Sequence, residues 1–318
     1  MGVSLIPKLT KESAAKYRIE NLGTVFFEGF NRDPAAADTD SSWLIKRTSI
    51  AGSNTLIEEA LQGFETAQWT QRTTYFGAVP FANTYSALFD GTNDSVRVPH
   101  NALLNLPRLT PWSIMLWAKT LAPTSAGTLI EKFTGGFGLT LDHDSSGRVT
   151  INYQGGGTGN RIRVREDAAM FGAEGAWRNI IITYDGSSSA AGMRIYFDNT
   201  EAGRNVLNDT LTVNPDNLAE WAIGSSSTGG TPRFSGFIDS VSIWSGVSLD
   251  ANNRTALYTA AAKQDIRNNF GNYTQSASLQ NWWRMGDNDT YPIILDQKGG
   301  LNATMYNMTP GNFVKEVP

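Results

Sequence analysis

Through the middle of the chain, apolar and polar residues alternate one for one. Val149, Ile151 and Tyr153 alternate with Thr150, Asn152 and Gln154; Ile162 and Val164 alternate with Arg161, Arg163 and Arg165. Met193, Ile195 and Phe197 alternate with Arg194, Tyr196 and Asp198. Successive side chains of a strand point to opposite faces, so a period of two predicts strands with one buried face. The run Trp112-Ser113-Ile114-Met115-Leu116-Trp117-Ala118 is apolar at both parities and predicts a central strand. Asp90-Gly91, Gly155-Gly156-Gly157, Asp185-Gly186 and Gly229-Gly230 separate these runs as turns. Many antiparallel strands at short spacing predict an all-β sandwich or barrel over residues 85–246.

Composition narrows the function. The 318 residues are 40% hydrophobic and only 18% charged, which fits a packed core and not a disordered chain. The net charge is −4 and no basic tract occurs, so nucleic acid is not an expected partner. Apolar stretches such as Ile180-Ile181-Ile182 are too short for membrane insertion. Cysteine is absent, which excludes disulfides and Cys-ligated zinc. The first residues, Met1 to Lys8, lack the apolar run of a secretion signal, so the triplets at Asn93, Asn208 and Asn302 read as Asn/Thr richness.

Catalytic motifs are thin. There is no phosphate-cradling glycine loop, and neither His100 nor His143 has metal-type or triad-type spacing. His143 lies in Asp142-His143-Asp144-Ser145-Ser146-Gly147, which reads as a solvated polar turn.

The flanks are less regular. Residues 1–84 begin with a helix expected from Thr10 to Glu20, then strands near 24–28 and 43–48. Residues 54–63 carry helix signals, an Asn cap and a terminal Gly, yet equally suit a strand; Trp69 to Tyr75 is β-like. Residues 247–318 start with a helix capped by Ser248 or Asp250, with Leu257, Tyr258 and Ala261 on one face. β-like segments follow at 279–287, 293–296 and 303–306.

Five motifs in order resemble the concanavalin A-like, laminin-G-like jelly roll. They are Tyr85 to Pro99, Trp112 to Lys119, Trp177 to Gly186, Met193 to Asn199 and Phe234 to Trp244. The fold class implied is an all-β jelly-roll sandwich, with a small β-containing N-terminal region and a C-terminal helix plus short strands packed on it. The segments Trp43-Leu44-Ile45-Lys46-Arg47, Ile57-Glu58-Glu59-Ala60 and Trp69 to Tyr75 resemble the N-terminal region of tailed-bacteriophage virion proteins that carry such a jelly roll. That likeness favours strand over helix at 55–61. Trp282 to Asp287 and Asp296 to Thr304 resemble a segment seen with these domains.

The resemblance implies candidate sites. Related jelly rolls bind Ca²⁺ through acidic residues on the first and closing strands, which here are Asp90, Asp94 and Asp239; oxygen ligands converging from separate strands suit a hard cation. For glycans, sugar faces stack on aromatic rings with polar groups nearby, and Trp117, Tyr153, Tyr196 and Trp244 are the strand aromatics. Hydrolases of this fold need two carboxylates across the scissile bond, and the strands here lack a dense run of acids.

The expected function is a non-enzymatic structural protein of a phage virion, on the tail or the head exterior. It is assembled in the bacterial host cytoplasm, with residues 1–84 as docking and oligomerisation region and the lectin-like domain displayed for cohesion or host-surface attachment. Expected partners are other virion proteins, further copies of the chain and host-surface glycans. The alternatives are a carbohydrate-binding module of a bacterial protein and a glycan-cleaving enzyme.

Overall fold

The chain divides into two compact units, Met1–Val79 and Pro80–Pro318. The computed structural model describes residues 81–318, except 170, 172–174, 228–229 and 231, together with three short strands of the first unit. Those strands are Val25–Phe26 (β1), Lys46–Thr48 (β2) and Asn54–Leu56 (β3). They pair antiparallel in the order β1-β2-β3. The strand reading therefore holds at residues 54–56, while the expected helix from Thr10 and the β-like run from Trp69 lie outside the described residues.

The second unit is a two-sheet sandwich. Its strands are Ser86–Asp90 (β4), Ser95–Val98 (β5), Trp112–Thr120 (β6), Gly127–Thr134 (β7), Phe137–His143 (β8), Val149–Gly155 (β9) and Arg161–Glu166 (β10). They continue with Arg178–Tyr184 (β11), Met193–Phe197 (β12), Thr200–Glu201 (β13), Arg204–Asp209 (β14), Trp221–Ile223 (β15) and Ser235–Ser245 (β16). After one helix, Ala251–Ala260 (α1), come Leu279–Trp283 (β17), Ile293–Ile294 (β18), Ala303–Tyr306 (β19) and Phe313–Val314 (β20). The larger sheet runs β14-β10-β9-β8-β7-β15-β5-β19-β18. The smaller runs β13-β12-β11-β6-β16-β4-β20, with β17 also paired to β16. The C-terminal strands are thus hydrogen-bonded members of both sheets, a closer union than packing onto a finished sandwich.

The alternating residues meet between the sheets. Val149, Ile151, Tyr153, Ile162 and Val164 of the larger sheet face Trp112, Ile114, Leu116, Ile180, Ile182 and Tyr184 of the smaller. At one end Trp112, Tyr153 and Tyr184 form an aromatic triangle with centroids 5.4–5.5 Å apart. Its hydroxyls are satisfied by the preceding loop: Tyr153 donates to the Leu106 carbonyl and Tyr184 to that of Arg108.

A second core lies outside the smaller sheet. Met115, Ile181, Tyr196 and Trp244 point away from the sandwich and are covered by Leu249, Leu257, Ile266, Tyr273, Leu279 and Trp282. This explains why β6 is apolar at both parities: each of its faces has a core. Asp250 caps α1 by accepting from the Asn253 N–H at 2.8 Å, and Ala261 ends it in the left-handed region at φ 44°. The Trp244 indole donates to the Tyr273 hydroxyl at 3.0 Å, which donates onward to the Ile266 carbonyl.

The sandwich unit also begins ahead of the expected boundary at residue 85. Phe81 stacks on Trp282, with the Arg284 guanidinium 3.9 Å from its ring, and Asn83 donates to buried Asp239 at 2.7 Å. Residues 81–84 are therefore sandwich residues. Removing residues 1–79 is expected to leave a cooperatively folding unit. Removing 1–84 should cost a further ~2–4 kcal/mol in urea denaturation, because it strips one packed aromatic and two donors to buried acids, Asn83 to Asp239 and the Thr84 N–H to Asp287. Equal stability of the two truncations would refute this assignment.

Candidate functional site

The two outer faces of the sandwich differ in what they leave open. On the smaller sheet the outward residues Met115, Trp117, Asn179, Ile181, Asp239 and Trp244 are buried, while Leu88, Lys119 and Phe237 at one end stay partly exposed. On the larger sheet the outward residues Phe133, Thr140, Asp142, Asn152, Arg161, Arg163 and Arg165 stay partly exposed. The strand register sets them in rows. Across five strands, Asn208 faces Arg163, Arg163 faces Asn152, Asn152 faces Thr140 and Thr140 faces Glu131. The row goes on through Ala222 to Arg97 and Thr304. Directly facing residues have side chains ~4.5–5.5 Å apart, so the row from Asn208 to Glu131 is a continuous band of amide, hydroxyl and charged groups, broken beyond it by Ala222.

Glu131 anchors the middle of this band. Its Oε1 accepts from Ser226 Oγ, Ser227 N and Ser227 Oγ, each at 2.8 Å, and its Oε2 accepts from Thr140 Oγ1 at 3.1 Å. The carboxylate thereby holds the 225–227 loop against the sheet. Phe133 follows it two residues later on the same face, a half-buried ring beside the polar band. Asp142 lies one strand over. Burial pushes its carboxyl up to about 6, with Glu131 and Asp144 adding to the rise and Arg163 opposing it. Asn152 Oδ1 finds no protein partner, and its amide nitrogen reaches only Gln154 at 3.4 Å.

The expected metal ligands do not converge. Register sets Asp90 opposite Ser235, four residues along β16 from Asp239, a separation of ~13 Å. Asp90 spends its carboxylate on the Thr92 and Asn93 N–H groups of its own turn. Asp94 accepts from the Asp90 N–H and from Asn312. Asp239 is buried on the outer side of the smaller sheet. Among the described residues no group of three or more His, Cys, Asp or Glu side chains could hold a metal ion. These residues do not fit a shared Ca²⁺, and the expected set is corrected on that ground.

The four aromatics singled out from the sequence are packing residues. Tyr153 belongs to the inter-sheet triangle. Trp117 stacks on Tyr258 at 6.0 Å, Tyr196 lies under the Arg254 guanidinium at 3.7 Å, and Trp244 is sealed by Tyr273. All four are buried, so none offers a free ring face to a sugar. His143 is corrected too. It continues the inward set Leu139, Leu141 and lies between Phe171 and Phe234 at 5.2 and 5.8 Å. Gly127 makes that possible, since a Cβ there would come within 2.6 Å of Nε2. Phe133 was legible in principle: Glu131 and Phe133 share one parity of a strand whose other parity carries Ile130.

Two buried acids elsewhere make stability pH-dependent. Burial pushes Glu166 up to about 8, opposed by the Val149 N–H donated to it and aided by Asp167 and Asp144. Burial likewise pushes Asp239 up to about 8, opposed by Asn83 and Arg284 and aided by Asp287. Both carboxyls keep a proton when folded that the unfolded chain releases above about 4–4.5. Their contribution is full below that pH and is lost as pH rises through about 8, at up to ~1.4 kcal/mol per pH unit for each. The melting temperature should fall between acidic and mildly alkaline pH. Glu166→Gln and Asp239→Asn together should flatten the fall, and a double variant with the wild-type slope would count against the assignment.

Residues 90–252 match the family described as the concanavalin A-like lectin/glucanases superfamily. No curated protein matches the chain. Among solved structures, the chain is similar to a Bacteroides ovatus protein provisionally described as carbohydrate binding, with 16% identity and a TM-score of 0.50, covering 71% of this chain and 59% of that one. It therefore spans less than two thirds of that relative. It is also similar to the LG4-5 domains of the mouse laminin alpha1 chain, with 14% identity, a TM-score of 0.39 and coverage of 55% and 44%. A third is the CBM40 domain of the Ruminococcus gnavus IT-sialidase, with 13% identity, a TM-score of 0.36 and coverage of 48% and 84%. Identities this low speak for the fold alone.

Proposed function

The chain belongs to the concanavalin A-like lectin/glucanases superfamily, and we propose that it is a glycan-binding protein whose site is the outward face of the larger sheet. The observation that carries this reading is the band from Arg163 through Asn152 and Thr140 to Glu131, with the half-buried Phe133 ring beside it. Sugars need both elements: hydroxyls pair with fixed planar amides, carboxylates and guanidinium groups, while C–H faces settle on an aromatic ring. The other outer face is covered over most of its width by the chain's own C-terminal segment, leaving Leu88, Lys119 and Phe237 partly exposed at one end.

Binding without cleavage is the favoured chemistry. Hydrolysis would ask one carboxylate to attack or to activate water while a second protonates the leaving oxygen. Asp142, with its carboxyl raised to about 6, has the character of an acid. Its neighbour Glu131 has both oxygens engaged by Ser226, Ser227 and Thr140 and is poorly placed to act as a base. On a glycan array the full chain should bind, and Asn152→Ala and Phe133→Ala should each weaken binding roughly tenfold with an unchanged melting temperature. Unaltered binding by both variants would remove the site from this face.

The finer proposal is that this domain is displayed on a phage particle, with the first unit docking it to other virion proteins and to further copies of the chain. The division of the chain at Val79/Pro80 supports it, because a separable sandwich suits display. Full-length protein should then co-purify with particles, and protein lacking residues 1–79 should remain free. Incorporation of the truncated protein at wild-type levels would overturn the docking role.

A further inference from the structure

The outward face of β10 carries Arg161, Arg163 and Arg165 in succession, spaced ~6.7 Å apart along the strand. Each has a neutral hydrogen-bonding residue directly opposite on β9: Gln154, Asn152 and Thr150 respectively. On the other side, β14 sets Asn208 against Arg163 and Asn205 against Arg165. The result is a line of guanidinium groups bordered by amides and a hydroxyl.

These arginines differ from five others in the described chain. Arg148, Arg178, Arg194, Arg267 and Arg284 each hold a carboxylate at 2.6–3.2 Å. In contrast, the Arg163 side chain makes no ion pair and no hydrogen bond among the described residues, and acts on Asp142 only through space. Arg161 donates only to neutral Asn208, at 2.8 Å. Arg165 reaches Asp144 only at 3.8 Å, and Asp144 is already taken by Arg148. Burial and the neighbouring Arg163 both hold Arg161 below the usual arginine value, so the row repels itself. A like-charged line kept partly exposed, with none of its guanidinium groups in a close carboxylate pair, is suited to anions arriving from outside. The forks match carboxylates in a planar, two-point manner that an ammonium group does not.

Resting on the glycan-binding reading above, we infer that the ligand is an acidic glycan, a linear oligosaccharide with carboxylates at repeated intervals that lies along β10. Its carboxylates meet Arg161, Arg163 and Arg165, while its hydroxyls meet Asn152 and Asn208, which stay partly exposed. The chain's net charge of −4 disfavours indiscriminate attraction of polyanions, so recognition depends on this local row.

The test uses the full chain with short oligomers of galacturonate, mannuronate and glucuronate, each paired with the same oligomer after its carboxyls are reduced to alcohols. At least one acidic oligomer should bind tenfold or more tightly than its reduced partner, and added salt should shrink that difference. Arg163→Gln should lower acidic-oligomer binding about tenfold more than it lowers reduced-oligomer binding, since the lost fork serves carboxylates in two points and hydroxyls in one. Arg163→Lys, which keeps the charge but loses the fork, should fall between. Equal binding of acidic and reduced oligomers, lost in Asn152→Ala, would overturn the acidic class while the glycan-binding reading stands. Binding of neither kind, with no hit on a broad neutral array, would overturn both. A single-stranded oligonucleotide of equal charge binding as tightly as the acidic oligomer would also overturn the inference, since charge alone would then suffice.

Discussion

Strand β6 is buried on both faces from Trp112 to Ala118, and much of the molecule follows from that. Its inward residues Trp112, Ile114 and Leu116 close the sandwich, and its outward residues Met115 and Trp117 need a second cover. Burying such side chains removes apolar area from water at ~25 cal/mol per Å², which is enough to recruit a helix and several loops to the outside of the sheet. The cover is tied in by polar contacts as well: Ser113 Oγ donates to the Val247 carbonyl and accepts from the Leu249 N–H. Asn179, Trp117 and Asp239 form one cross-strand row beneath this cover, and each has a polar atom that finds no protein partner. The same burial keeps the Asp239 carboxyl protonated near neutral pH.

Covering one sheet decides what the other can do. With the smaller sheet closed from outside, the larger one presents its polar parity to solvent. Antiparallel sheets commonly keep one solvated face, and the strict alternation on β9 and β10 is the sequence signature of that arrangement. Glu131 illustrates how such a face is stiffened: one carboxylate engages two serines and a threonine from separate elements. A rigid floor of this kind lowers the ordering cost of binding a flexible ligand.

The sandwich was legible because its strands announce themselves by parity. Ile162 and Val164 against Arg161, Arg163 and Arg165 show both the buried and the open face of β10. The aromatic candidates failed because strand membership says nothing about what lies over an outward ring. Trp117, Tyr196 and Trp244 are outward, yet the later chain between Val247 and Trp282 folds over them. The aspartates failed for a related reason: Asp90 and Asp239 share a strand pair, but the register separating them along it is a tertiary fact. His143 looked like a turn residue because Asp144 to Gly147 are turn-forming; the inward parity of Leu139 and Leu141 outweighs them by one position. The union of the C-terminal strands with both sheets was hidden, since β18 and β20 are two residues each.

That union has a consequence for how the protein comes into being. Ser86 and Ala87, at the start of the sandwich, pair with Val314 and Phe313 near the end, and Arg97 pairs with Thr304. Partners this distant in sequence close late, because loop entropy must be overcome before the contacts form. While the polypeptide is still being synthesised, β4 and β5 have each only one neighbouring strand, and their other edges expose unpaired N–H and C=O groups. Such bare edges are templates for pairing with another chain. A translation product ending before Ala303 would carry both of them permanently, so the last few residues act as the edge protection of strands made more than two hundred residues earlier.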